Sequence, residues 1–263
     1  MRICLPFFWL PLLAASLPAQ TPTADEITAR SQQAFYYAGD DMSARVVMTL
    51  VTAGGQQRVR DMTMLRRNAD AERQKYFIYF HSPADVRSTA FLVWKDPGRD
   101  ADRWLFIPTL DLVQRIAARD AESSFVGSDF SYEDISGRPL PADSRKLLRE
   151  ESLDRKPCYV VESDPKGRAG FTRRVAWIDR DTFLPLKEEY YDAQKQLSRV
   201  FTADEVRDVD GVPTVVRRTM KNVKSGHRTE VVFREVRYNV GLTDEVFTER
   251  SLRRPPAQWI SGQ

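Results

Sequence analysis

Cysteine and histidine are scarce in this 263-residue chain, with two of each. Two cysteines cannot staple a small scaffold, and two histidines leave little material for a zinc site or for histidine-based catalysis. A surplus of one charge is also missing. Lys+Arg is 40 and Asp+Glu is 37, a net +3 without the basic concentration that nucleic-acid binders use. Past the first residues, no apolar run approaches the ~18 residues that cross a bilayer as a helix. Phosphate-loop, Gly-x-Ser-x-Gly and His-rich zinc patterns are absent. What is present is 42% hydrophobic and 29% charged residues, enough apolar material for a sizeable core.

The start reads as an export signal. Met1-Arg2 is a short positive opening, Ile3 to Leu13 is apolar, and Ala14 to Ala19 supplies small residues before a cut after Ala19. Residues 1–19 are thus expected to be a secretory signal and residues 20–263 a single exported domain with no membrane span. Cys4 would leave with the signal. Cys158 sits in Cys158-Tyr159-Val160-Val161, which reads as a buried strand where Cys acts as a small hydrophobe.

Thr23 and Glu26 form a capping box that opens a helix, and Gly39 ends it. Ile27, Ser31, Ala34, Phe35 and Ala38 fall near helical spacing on one face. After Gly39 the period changes to two. Strands are expected at 42–52, 57–67, 75–81, 88–95 and 104–107. Seven more follow at 146–153, 158–163, 173–179, 186–191, 196–207, 212–221 and 227–238. Turn signals such as Gly54-Gly55, Asp96-Pro97-Gly98 and Asp210-Gly211 separate them. No βαβ alternation appears, so the sheet should be antiparallel, and one this large should curl.

The most distinctive stretch runs Gly127-Ser128-Asp129-Phe130-Ser131-Tyr132-Glu133-Asp134. Its acids suggest metal ligands or an acid/base pair, but it lacks the spacing of an EF-hand loop and offers no nucleophile. The plainer reading is a loop whose carboxylates cap backbone N–H groups while Phe130 and Tyr132 pack. His81 and His227 have no evident acidic partner and read as ordinary strand residues. Arg115, Arg119, Lys146, Arg149 and Arg155 read as a solvated face, with anionic head groups as the other option.

Several segments together resemble the outer-membrane lipoprotein-sorting, LolA-like family. These are Pro83-Ala84-Asp85-Val86, Thr89 to Leu92, Trp104 to Pro108, Arg115-Ile116, the Gly127–Asp134 octet, Trp177-Ile178-Asp179, Gly226 to Thr229 and Phe247-Thr248. The resemblance implies a mainly β fold: an unclosed antiparallel β-barrel, or half-barrel, with an N-terminal helix and a short helical or loop lid over an apolar concave cavity. It implies a monomer that binds acyl chains of a lipid or lipoprotein and shuttles them toward the outer membrane. An inner-membrane lipid transporter is a candidate partner. No nucleic acid, cofactor, metal or catalytic residue is expected. Candidate lining residues are Met48, Leu50, Phe77, Tyr79, Phe91, Val93, Trp104 and Phe106, and a one-residue slip of register would invert the chosen face. The octet, Gly127, Ser128, Asp129, Phe130, Tyr132, Glu133 and Asp134, is expected to be structural or to touch a partner. Three rivals stand beside this reading. One is an interaction module whose trough takes a partner's segment, another a hydrolase using Asp129 or Glu133, and the third an integral outer-membrane barrel.

Overall fold

A computed structural model describes residues 21–70 and 73–260. The export signal expected over residues 1–19 lies outside the described residues. Helix α1, Ala24–Tyr36, begins where the capping box places it. The Glu26 amide donates to Thr23 Oγ1 at 3.2 Å, and the Thr23 amide donates to Glu26 Oε2 at 2.7 Å. Ile27, Thr28 and Ser31 form its buried stripe.

Two antiparallel meanders follow. The first contains β1 Asp41–Val51, β2 Gln57–Asn68, β3 Gln74–Ser82, β4 Ala90–Lys95, β5 Asp102–Ile107 and β6 Leu112–Ile116. The second contains β7 Asp143–Leu153, β8 Lys156–Pro165, β9 Arg173–Asp179, β10 Pro185–Tyr191, β11 Leu197–Val209, β12 Val212–Asn222 and β13 Arg228–Tyr238. They join through β1 and β13 into one 13-stranded sheet ordered β6-β5-β4-β3-β2-β1-β13-β12-β11-β10-β9-β8-β7. The sheet does not close, so β6 and β7 are its two free edges.

Strand β6 escapes the sequence reading. Leu112, Gln114 and Arg115 are all exposed there, as an edge strand allows, so no alternation shows. Its residues read instead as part of a basic run. The octet is likewise not all loop. Helix α2, Tyr132–Ser136, starts inside it on a second capping box, with Ser131 accepting from the Asp134 amide at 3.1 Å.

Both faces of the first meander are covered. On the concave side, one apolar cluster gathers side chains of β1 to β6 and β10 to β13 around Phe125, Phe130, Tyr132 and Ile135. Strands so far apart can share a cluster only because the sheet curls. On the convex side, Leu65, Phe77, Leu92, Trp104 and Phe106 pack under Leu242, Val246, Phe247 and Leu252. The covering segment includes α3, Glu249–Arg253, and α4, Ala257–Ile260. Trp94 Nε1 fastens it by donating to the Phe247 carbonyl at 2.8 Å. Cys158 is fully buried in a separate cluster with Val160, Val175, Trp177 and Leu186. Among the described residues, no helix is long and apolar enough to cross a membrane.

Thr23→Ala removes the cap at α1 and is expected to lower unfolding stability by about 1 kcal/mol. Urea unfolding followed by circular dichroism reads this, and an unchanged midpoint would mean that packing alone holds the helix.

Candidate functional site

Among the described residues, the topology forces one segment across the concave side of the sheet. Residues 117–142 link edge strand β6 to edge strand β7 and so must cross the concave side. This segment is a plug. Phe125, Phe130, Tyr132 and Ile135 push into the hollow, with Phe125 fully buried. The Phe91 ring meets Phe125 at 5.2 Å and Tyr132 at 5.3 Å. Burying four such side chains is worth about 6–12 kcal/mol gross.

Polar contacts fix the plug along its length. The Arg60 guanidinium donates to the Val126 carbonyl. Asp129 Oδ2 meets His227 Nδ1 at 2.6 Å and accepts from Thr229 Oγ1 at 2.8 Å, while the Asp129 amide donates back to Thr229 Oγ1 at 2.9 Å. His227 therefore does have an acidic partner, 98 residues away in sequence. At the α2 end, Arg199 Nη1 lies 2.7 Å from Asp134 Oδ2. Arg138 bridges Glu133 at 3.1 Å and Asp143 at 2.7 Å. Burial raises the Asp134 pKa, but Arg199 and the Ser131 hydrogen bonds outweigh it and hold the carboxyl below the usual range. Glu133 goes the other way, with burial pushing it up and Arg138 offsetting only part.

Backbone conformation matters at two points of the plug. Val126 has φ 48° and ψ 40°, a left-handed geometry that strains a β-branched residue by roughly 1–3 kcal/mol. Gly137 has φ +80°, and a Cβ there would sit 3.0 Å from the Tyr36 ring. Glycine thus lets the end of α2 lie against α1.

The hollow is filled rather than open. A cavity of about 50 Å³ remains between α1, the plug and the sheet, too small for an acyl chain. A larger polar cleft of about 780 Å³ lies outside the apolar cluster, beside Gln33, Asp40, Arg67 and Asn68.

The eight candidate lining residues do not share one surface. Met48, Leu50, Phe91 and Val93 face the hollow, but Phe77, Trp104 and Phe106 belong to the convex cluster, with Tyr79 packed against it. The concave phase runs through Tyr76, Ile78, Phe80 and Leu105 instead. Alternation could not separate the faces because both are apolar here. Sequence reasoning also missed the cations of the hollow: Arg60, Arg66, Lys95, Arg103 and Arg218. Each occupies the inward phase of its strand, as in Met62-x-Met64-x-Arg66 and Arg218-x-Met220. That phase was their one visible signal. Among the described residues, no group of three His, Cys, Asp or Glu side chains stands together as a metal site.

The curled, unclosed sheet with its plugged hollow is the fold of the lipoprotein-sorting, LolA-like class. A DUF1329 family protein from Desulfovibrio piger is 29% identical with a TM-score of 0.81, over 87% of this chain and 97% of that one. A candidate outer membrane lipoprotein-sorting protein domain from Vibrio parahaemolyticus is 29% identical with a TM-score of 0.79, over 88% and 97%. A LolA superfamily protein from Nitrosomonas europaea shares the fold at 21% identity and a TM-score of 0.70, over 88% and 99%. The chain belongs to the family of uncharacterized proteins whose model matches residues 72–254. No curated protein matches the sequence significantly.

Lys95 gives the site a pH signature. Its Nζ donates to the Ser136 carbonyl at 2.6 Å, tying β4 to the plug. Burial, then Arg103, pushes its pKa down from 10.5 to about 7, with Glu133 opposing. Between those values the unfolded chain keeps a proton that the folded protein has released. Stability should therefore rise with pH across this window, by at most about 1.4 kcal/mol per unit. Urea unfolding at about pH 7, 8 and 9 should show this slope in the native protein and a flatter one in Lys95→Met. Equal slopes would place the proton elsewhere.

Proposed function

We propose that this protein is a periplasmic carrier. It takes acyl chains of a lipid or lipoprotein into the hollow when the plug leaves, and passes them toward the outer membrane. The observation that carries this reading is the kind of cover the concave wall has. The wall is apolar and methionine-rich (Met42, Met48, Met62 and Met64), suited to irregular guests. Its cover is a segment outside the sheet, which inserts side chains and is braced internally by the Ser124–Ser131 bridge and by turn hydrogen bonds such as the Phe125 amide to the Phe130 carbonyl at 2.7 Å. The magnitudes match. A sixteen-carbon chain offers roughly 13 kcal/mol gross at ~0.8 kcal/mol per methylene, close to what the plug's side chains give up. The apolar terms of plug and guest are thus of one order, and the plug's polar ties to His227, Thr229, Arg199 and Lys95 would be given up in addition.

The likeness to lipoprotein-sorting structures supports this reading, and the export pattern over residues 1–19 supports the compartment. Met48, Leu50, Phe91 and Val93 would touch the guest. Phe77, Tyr79, Trp104 and Phe106 would do so only if the C-terminal cover lifted as well. The octet residues hold the plug, and no step of the cycle needs covalent chemistry. An inner-membrane lipid transporter is the proposed supplier. A second reading, an interaction module, is favoured by the free edge of β6, where Leu112 is 44% exposed, with Leu110 67% exposed in the turn before it. Such an edge accepts an extended partner strand.

Asp129→Cys with Thr229→Cys should cross-link the plug to β13 on oxidation. Native mass spectrometry with a palmitoyl phospholipid is expected to show at least about tenfold less adduct in the oxidised form, restored by reduction. Equal adduct in both forms would sink plug displacement. Peptide adducts without lipid would favour the module.

A further inference from the structure

The charged side chains that line the cavity under α1 are of one sign. Arg66 and Arg218 both line it, and no carboxylate does. Arg66 is 3% exposed, and its terminal nitrogens donate to the Tyr36 and Ala38 carbonyls beyond the end of α1. Its Nε is buried with no partner. Arg218 is partly buried and stands among three rings, with Phe233 at 4.6 Å, Phe35 at 5.4 Å and Phe130 at 5.7 Å. Its Nε too is buried and unpaired. Among the described residues, no hydrogen bond or ion pair reaches Arg218. The nearest acid of consequence, Asp134, is already engaged by Arg199 at 2.7 Å.

A guanidinium has five N–H donors in a planar fork suited to oxyanions. A buried Nε left unmet is costly, and facing rings offset only part of that. The remaining space is about 50 Å³, room for roughly three or four water-sized groups, the scale of the oxygens of one small anion. Apolar walls from Met42, Met64 and Val215 continue past the charged end.

We infer that this cavity is an oxyanion site, in which Arg218, with Arg66 behind it, receives a phosphate or carboxylate group. The group arrives either as a free anion or as the polar end of an amphiphile. The site stands on its own geometry. If the carrier reading also holds, Arg218 fixes which end of the guest lies beneath α1 and selects anionic guests over neutral ones.

Isothermal titration of the native protein with inorganic phosphate, decanoate and decanol tests this, with Arg218→Met beside it. Arg218→Met should fold with an unchanged or higher Tm, because it removes a partly buried cation that has no ion-pair partner. Decanoate binding at least about tenfold tighter than decanol, with the preference lost in Arg218→Met, supports the amphiphile source. Phosphate binding lost in Arg218→Met, without a decanoate preference, supports the free anion. Equal decanoate and decanol affinities with no phosphate binding would overturn the site while leaving the carrier reading intact. Phosphate binding with neither decanoate nor decanol would do the reverse. A Tm that falls sharply in Arg218→Met would mark the side chain as a structural clamp on the rings. Arg218→Lys then decides, since it keeps the charge but loses the fork. Anion affinity undiminished in Arg218→Lys overturns the proposal.

Discussion

Two strands adjacent in sequence, β6 and β7, lie at opposite edges of a thirteen-stranded sheet. Flat, such a sheet would hold its edges about 58 Å apart, twelve gaps of ~4.8 Å. The 26 residues of 117–142 include helical turns and bury aromatic side chains on the way, so they cannot be fully stretched. The sheet must curl toward the connection, and the connection must lie in the curl. Most of what is distinctive here follows. The concave wall is apolar because it is covered, and the cover is a loop-like segment because a strand pairing with either edge could not cross.

Charge inside the hollow follows from the same constraint. A segment crossing an apolar face brings its own backbone polar groups, and these need partners. Arg60 meets the Val126 carbonyl, Lys95 the Ser136 carbonyl, and Gln32 the Arg138 carbonyl at 2.8 Å. The two ends of the plug differ in kind. Around α2, partly buried ion pairs to Arg199 and Arg138 hold several groups at once. Around Val126, one guanidinium and a strained residue act beside aromatic packing, and three residues on, Asp129 is held to His227 and Thr229. Removing one partner from a buried pair is costly, whereas withdrawing apolar rings costs only what another apolar guest could return. On the carrier reading, the Phe125 end is the part of the plug that a guest would replace, with α2 as the pivot.

Local features were legible in the sequence because their causes are local. Thr23 and Glu26 cap α1 through residues three apart, and the Gly54-Gly55 turn and period-two strands fall where alternation put them. Nonlocal features were not. Nothing near His227 points to Asp129, since the two meet only after the plug has crossed to β13. The inner phase of β3 was hidden because Phe77 and Tyr79 look as core-like as Ile78 and Phe80, and both faces are indeed buried. Strand β6 was hidden for the opposite reason, having little buried surface. Arg218 sat in an apolar phase beside Met220 and could have been singled out, but an alternation rule treats one cation as noise.

The near-equality of plug and acyl chain bears on direction as well as affinity. On the carrier reading, the plug's four buried side chains, at about 6–12 kcal/mol, compete for the wall with a sixteen-carbon chain at roughly 13 kcal/mol gross. A hollow that stayed open would offer its wall to a chain with nothing to displace. A hollow that closes on its own aromatic side chains competes with its cargo throughout, and an acceptor then needs only a modest advantage to draw the chain out. Left-handed strain at Val126 trims the closed state by roughly 1–3 kcal/mol, which shifts the balance toward loading without abolishing closure. In such a device the plug acts as the resident ligand, and the filled hollow is its resting state.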